Sequence, residues 1–453
     1  MTPRTDIARI AGRGSTTNEV PRGARAGFRR LVLLALFPLL ASLFPATSAA
    51  QTVTVTPEGP GLAEVLRTAA PGSRIVVAAG VYRPGAVVVD TPVEIVGEGV
   101  AVLDGEGQHQ ILTVTAPGVT VRGLVFRNVG TSFVEDRAAL KVEEGHGCVI
   151  EGNRFEDAFF GIYLAKTDGC RVAGNVLEAT TATESRSGNG IHLWYSKNIA
   201  VEHNTIRGHR DGIYFEFVED SRVEANVSEE NLRYGLHFMF SDRCAYRGNT
   251  FRANDAGVAV MYTERVEMTG NRFEANRGSA AYGLLLKDIT DSRVEHNAFR
   301  GNSVGVYAEG TNRVRFAGND FLENGWAVKI MANALDNLFT ANNFAGNTFD
   351  VATNSRRHYS TFEGNYWDRY AGYDLDRDGT GDVPFRPVRL FALVVEQNAP
   401  SLVLLRSLFV DLLDAAERVV PALTPETLAD AAPQMRRIPR TASPFHPATH
   451  SPR

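Results

Sequence analysis

The chain has 453 residues, 44% of them hydrophobic and 22% charged, with 42 Gly and 20 Pro. That composition excludes disorder as the main state and leaves enough apolar material for a large core. The formal charge is −5, from 47 Lys and Arg against 52 Asp and Glu, which argues against nucleic acid as a partner.

Residues 1–50 read as a signal peptide. Arg22, Arg25, Arg29 and Arg30 precede an apolar run at 31–44, and small residues follow at 46–50. A basic start, a short apolar stretch and a small-residue exit form an export signal. The run is shorter than the roughly 20 residues a membrane span needs; the alternative is an uncleaved N-terminal anchor. Arg29-Arg30 faintly resembles a twin-arginine signal, so Sec and Tat export both stay open. The leader holds seven Arg and two acids, so the exported part carries 40 bases against 50 acids. Acidic surfaces of this kind suit cationic partners, metals included.

Residues 51–74 are expected to form an N-terminal cap, with a short amphipathic helix at Leu62-Ala63-Glu64-Val65-Leu66. From 75 to 387 the expected architecture is all-β: a parallel β-helix, or solenoid, of about 22-residue turns, followed by a C-terminal helical segment. Segments 75–77, 93–96, 111–114 and 119–126 look like early, less regular turns. The repeat is clearest at Asn153, Asn175, Asn204, Asn226, Asn249, Asn271, Asn297, Asn319, Asn342 and Asn365. Successive gaps are 22, 29, 22, 23, 22, 26, 22, 23 and 23. Runs such as Gly212-Ile213-Tyr214-Phe215 are too short for helices and rich in strand formers. Three short strands and three corners close one turn, and stacked turns lie about 4.8 Å apart. Phe155, Ile206, Phe251, Phe273, Phe299, Phe321 and Phe344 then make an inward stack. The repeated Asn are read as corner residues that tolerate left-handed backbone and pair their amides along the axis. The Gly of each Gly-apolar pair is likewise read as a corner residue. The longer gaps mark insertions near 179–188 and 276–281, which become loops on one face.

Register turns the repeat into columns. One reads Tyr163, His192, Tyr214, His237, Ala259, Leu285 and Tyr307. The next on that face reads Ala165, Trp194, Glu216, Met239, Met261, Lys287 and Glu309. Imidazole with thioether is a soft-to-borderline ligand set that suits Cu(I), so His192, His237, Met239 and Met261 are candidate copper ligands. The competing reading is packing, the commoner role of Met and aromatics on strands. Cys148 and Cys170 fall on adjacent turns, which permits either a disulfide or a stack of thiols; Cys244 is expected to be unpaired.

Asp374, Asp376, Asp378 and Asp382, with Gly379, resemble a calcium loop at positions 1, 3, 5, 9 and 6. Phe385 stands where an EF-hand needs a bidentate Glu, which excludes a true EF-hand. The alternatives are a structural calcium turn and an acidic loop held by Asx-turns. Residues 388–430 change to helical periodicity, with Leu402, Leu405, Leu408, Phe409, Leu412 and Leu413 on one side. That segment is too charged to span a membrane. It is expected to cover the last turn, lie on a membrane or dock on a partner. Residues 431–453 are expected to be a disordered tail.

No phosphate loop or Cys-x-x-Cys occurs. Two longer stretches are more specific. Asn365-Tyr366-Trp367-Asp368-Arg369-Tyr370 runs into Gly372-Tyr373-Asp374-Leu375-Asp376 and Gly381-Asp382-Val383-Pro384. Tyr234-Gly235-Leu236-His237-Phe238-Met239-Phe240-Ser241-Asp242 is followed downstream by Ala281-Tyr282-Gly283-Leu284-Leu285-Leu286-Lys287. Together these resemble the NosD family of periplasmic nitrous oxide reductase maturation proteins, across essentially all of the exported chain. The resemblance implies a CASH-type β-helix in the periplasm, associated with the inner membrane and without enzymatic activity. It implies an ABC-type assembly with a membrane permease and a cytoplasmic ATPase. It further implies copper delivery to apo nitrous oxide reductase in denitrification, in exchange with a membrane-anchored copper chaperone. The alternatives are an exported polysaccharide lyase or uronan epimerase, using Arg210, Asp211 and Glu216, and a purely adhesive repeat protein.

Overall fold

Short alternating runs become strands because each turn offers its apolar residues to one interior. A representative turn consists of Val149–Glu151, Arg154–Glu156 and Phe160–Ala165. Its three corners are made by left-handed residues, Gly152, Asp157 and Lys166. The computed structural model describes residues 50–440 except 133, 181–182, 279–280, 356–358, 406 and 420–427. The segment at 1–49, read as a leader, and residues 441–453 lie outside the described residues.

Successive turns pair strand on strand, always parallel, and the chain is a parallel β-solenoid. One wall is a 12-stranded sheet running from Val87–Val89 to Phe349–Thr353. Pairing begins earlier than 75: Thr52–Val55 already pairs with Arg74–Val77. Between them helix α1, Leu62–Thr68, buries Leu62, Val65 and Leu66 over the first turns.

The inward stack is continuous. Phe155 pairs with Leu177, Leu177 with Ile206, Ile206 with Ser228 and Ser228 with Phe251. From Phe251 the rings of Phe273, Phe299, Phe321, Phe344 and Trp367 follow at 4.1–5.6 Å. Near-parallel rings of this kind contribute about 0.5–1.5 kcal/mol per pair beyond burial itself.

The Asn ladder is buried, but not for the conformational reason expected. In all ten rungs the left-handed residue is the one before the Asn, from Gly152 to Gly364. The Asn itself is a hydrogen-bond hub. Asn204 Nδ2 donates to Val172 O and to Asn226 Oδ1, both at 2.9 Å, and the Asn204 backbone N donates to Asn226 Oδ1 at 2.8 Å. Corner amides that would otherwise be orphaned are thereby paired inside the core. The Gly column also needs correction, because these residues sit in or beside strands and are not left-handed. A Cβ on Gly212 would lie 2.7 Å from Gly235 O, and one on Gly235 equally close to Gly257 O. The column is glycine because neighbouring backbones approach too closely for a side chain.

After Trp367 the winding stops. Helix α2, Leu390–Gln397, lays Phe391 against Phe349 and is tied by Lys329–Glu396 at 2.7 Å. A 3-10 turn, Ala399–Leu404, leads to α3, Leu408–Val419. The expectation of a disordered tail from 431 fails for 431–440. Asp430 bridges to Phe362 and Phe385, Gln434 to Tyr366, Ile438 N donates to Asn343 Oδ1, and Arg440 pairs with Asp320 at 2.9 Å. This strap lies over the final turn because the ladder's last donors need an acceptor. Asp430, 0% exposed, accepts from Asn365 N and Nδ2 at 2.9 Å and from Trp367 Nε1 at 3.0 Å.

Candidate functional site

Both columns read from the repeat have the register expected. Tyr163 pairs with His192, His192 with Tyr214, Tyr214 with His237 and His237 with Ala259. Alongside them Trp194 pairs with Glu216, Glu216 with Met239, Met239 with Met261 and Met261 with Lys287. The columns face outward. Their strand neighbours Ile191, Leu193, Leu236 and Phe238 are fully buried inside the coil, whereas Met239 and Met261 are half-buried.

His192 and His237 are outward but covered, at 8% and 7% exposure. The structure does not bring His192 together with His237. Tyr214 stands between them, its ring 4.7 Å from one imidazole and 4.9 Å from the other. Two turn spacings, about 10 Å, are too far for one ion to span. His237, Met239 and Met261 instead occupy adjoining positions on two neighbouring turns. The Tyr214 hydroxyl donates to Met239 Sδ at 3.7 Å. Burial, followed by the charge of Glu216, pushes the Tyr214 phenol up to about 12. For His192, burial and then the Arg210 charge lower the value to about 3, so the ring is neutral at ordinary pH.

The Nε2 atoms of His192 and His237 are buried with no partner among the described residues. Their Nδ1 atoms are engaged. His192 Nδ1 lies 2.9 Å from Asn189 Nδ2, and His237 Nδ1 lies 3.7 Å from Asp211 Oδ2. Asp211 is fully buried and gripped by Arg233 at 2.9 and 2.7 Å. Burial works against the Asp211 charge, but hydrogen bonds from His237 and Arg233 override it and hold the carboxyl below its usual range. Arg210 donates to Asn189 Oδ1 at 3.1 Å. A carboxylate so enclosed and paired is a poor general base, which weakens a lyase-like reading of Arg210, Asp211 and Glu216.

One feature of this wall has no counterpart in the sequence reading. The residue after each second-column position turns the corner with positive φ. On four consecutive turns it is aromatic: Tyr195, Phe217, Phe240 and Tyr262, with φ of 46–55°. Bulky residues are rarely left-handed. Their rings stack at 4.5–5.2 Å, and Tyr195, Phe240 and Tyr262 are exposed. The flanking turns carry Glu144, Lys166, Asp288 and Gly310 at that corner. The signal was visible as an aromatic directly after Trp194, Glu216, Met239 and Met261.

The other expected sites lie elsewhere. Cys148, Cys170 and Cys244 are free and buried. Cys148 N donates to Cys170 Sγ at 3.3 Å, and burial pushes the Cys244 thiol up to about 12. Asp374, Asp376 and Asp378 converge, with carboxylate oxygens within 4.8 Å of one another. Asp382 is not in that group; its Oδ2 accepts from Leu375 N at 2.7 Å. Asp374 and Asp376 also accept backbone N–H groups from Asp378 and Gly379, the pattern of Asx-turns. At the C-terminal end Leu405 and Leu413 pack beside Val410 and Phe391. Val403, Leu408, Phe409 and Leu412 are exposed, so the periodic side is only partly covered by the described residues. No helix among the described residues is long and apolar enough to cross a membrane.

The family model for "Periplasmic copper-binding protein (NosD)" matches residues 178–372. The "Probable ABC transporter binding protein NosD" of Pseudomonas aeruginosa is 34% identical over 378 residues, covering 79% of this chain and 87% of that protein. A protein of the same description from Stutzerimonas stutzeri is 28% identical, over 79% and 86%. Among solved structures, a Yersinia enterocolitica family 28 exopolygalacturonase superposes with a TM-score of 0.53 at 11% identity. It covers 71% of this chain and 79% of that one. A GH87 α-1,3-glucanase from Streptomyces thermodiastaticus gives 0.51 at 15% identity, over 68% and 67%. At those identities the two structures bear on the fold alone.

Proposed function

We propose a function on one premise: the chain belongs to the NosD family. On our reading it is an exported, periplasmic, non-catalytic maturation factor for nitrous oxide reductase. It works with an ABC-type permease and its cytoplasmic ATPase, and exchanges copper with a membrane-anchored chaperone and the apo reductase. The observation that carries this reading is the donor set on the outer wall. A buried imidazole with a free Nε2, His237, adjoins two half-buried thioethers, Met239 and Met261. Nitrogen with thioether sulfur fits Cu(I) as a cargo better than harder ions. His192, two turns away, belongs to the same covered wall.

The C-terminal foot would supply the attachment. Val403, Leu408, Phe409 and Leu412 form an apolar surface left exposed among the described residues, which supports docking on the permease. Asp374, Asp376 and Asp378 are proposed to take calcium as a structural ion beside the strap. The deciding experiment is purification of the assembly from membranes, with metal analysis. Wild type should carry copper and retain permease and ATPase. The pair His237→Ala with Met239→Ala should lose copper and leave the reductase unmetallated; unchanged metallation would remove the copper assignment. Deleting 402–420 should release the protein, and retained co-purification would remove the docking assignment.

A further inference from the structure

The column that holds Met239 and Met261 is framed by two charges of opposite sign. Glu216 pairs in register with Met239 on one side, and Lys287 with Met261 on the other. Both side chains are half-buried, and neither makes a hydrogen bond or an ion pair among the described residues. The contrast is with acids such as Glu202, held by Arg171 and Arg222, and Glu267, held by Arg247 and Arg293. Glu216 stands between Trp194 and Met239 on its column, and the left-handed corner residue Phe217 follows it. Its carboxylate is thus partly withdrawn from water with no cation beside it, which is unfavourable. Its charge also reaches the donor set. It helps to raise the Tyr214 phenol, whose hydroxyl donates to Met239 Sδ at 3.7 Å.

Thioether and neutral imidazole bring no charge of their own, so a Cu(I) ion held by them keeps its full positive charge. Half-buried, such an ion is stabilised by an anion close by. Glu216 is one turn from Met239, about 4.8 Å along the axis, and Lys287 is the same step beyond Met261.

We propose that Glu216 is the counter-charge of the copper site, holding the monovalent cation on Met239 and Met261, and that Lys287 repels the ion from the turns beyond. The proposal rests on the copper reading above and deepens it by naming the residues that set the charge of the site. The test is titration of the purified exported chain with Cu(I) against a chromophoric chelator, repeated with Ag(I), a soft ion of the same charge. Glu216→Gln should weaken both ions about 4- to 20-fold, the span for a unit charge at ~5 Å between bulk water and a half-buried setting. Glu216→Asp should keep most of the affinity. Lys287→Gln should strengthen binding about 2- to 10-fold, and the double Gln variant should fall between the two. The gap between wild type and Glu216→Gln should narrow as salt is raised, which a loss of packing would not produce. Neither side chain has a partner to lose, so the variants should melt as wild type does. Equal affinity in wild type and Glu216→Gln, or a loss that salt leaves untouched, would overturn the counter-charge role. Weakened binding in Lys287→Gln would overturn the part given to Lys287. If His237→Ala with Met239→Ala binds Cu(I) as wild type does, the copper reading itself fails. If that pair loses Cu(I) while Glu216→Gln keeps it, only the counter-charge role fails.

Discussion

Asp430→Ala should unfasten one end of the solenoid without disturbing its middle. The carboxylate accepts from Gly364 N, Asn365 N, Asn365 Nδ2, Trp367 Nε1 and Ala432 N. Asn365 Nδ2 keeps a second acceptor, Phe339 O at 2.9 Å, and Gly364 N is only part-buried. Two buried donors are therefore stranded outright, Asn365 N and Trp367 Nε1. At about 1–3 kcal/mol for each orphaned group, the local cost is about 2–6 kcal/mol. Solenoid turns interact chiefly with their neighbours, so the loss should stay local rather than lower the whole transition. Native-state hydrogen exchange is the suitable assay. Amides at 359–367 should exchange roughly 30-fold to 20,000-fold faster, while those at 246–251 stay as they were. Asp430→Asn should be milder, since one amide oxygen can still serve Asn365 as it does on every other rung. Unchanged exchange at 359–367 in Asp430→Ala, or an equal rise in all turns, would refute the ladder-cap reasoning.

Phe299→Ala removes a ring stacked on both sides and should cost about 3–5 kcal/mol in denaturant unfolding. Burial lowers His192 to about 3 and His209 to about 4, both below the unfolded value near 6.5. The unfolded chain then binds more protons, so this stability is fully present above about 6.5 and falls as pH drops toward those values. At pH 5 the loss is about 2 kcal/mol for each ring; His209→Asn should remove roughly half of the pH dependence in thermal melts. Asp376→Asn should abolish any calcium-dependent rise in melting temperature, with the apo protein melting as wild type does. Phe409→Glu should reduce co-purification with membranes while changing the melting temperature little, because the ring is largely exposed.

Periodicity made much of this legible. A constant spacing implies register, and register alone placed Phe299 over Phe273 and Met261 over Met239. It could not say which side of the wall was inside, because both faces of Tyr234–Met239 are apolar. The interior is recognisable only once closure of the coil buries Leu236 and Phe238. Two local readings failed on steric grounds: the left-handed residue precedes the Asn, and the Gly column answers to a neighbouring carbonyl. A second ladder, Asn231, Asn254, Asn276, Asn302, Asn324 and Asn347, was present in the sequence five residues after the first. One Asn per turn already accounts for the 22-residue period, so the spacing alone does not call for a second ladder. The strap was invisible for a different reason. Its Pro- and Arg-rich composition looks unstructured, and its contacts are to residues as far as 121 positions away.

A coil held by one repeated rung has an adjustable length. The strands of Met261 and Phe349, where the C-terminal helices attach, are four pairings apart, or about 19 Å. Removing or duplicating one whole repeat between them keeps every rung and stack intact. The separation between foot and wall would then change in steps of about 4.8 Å. The coil is thus graduated in turns, and if the proposed partners must meet at a set height, only some graduations will work.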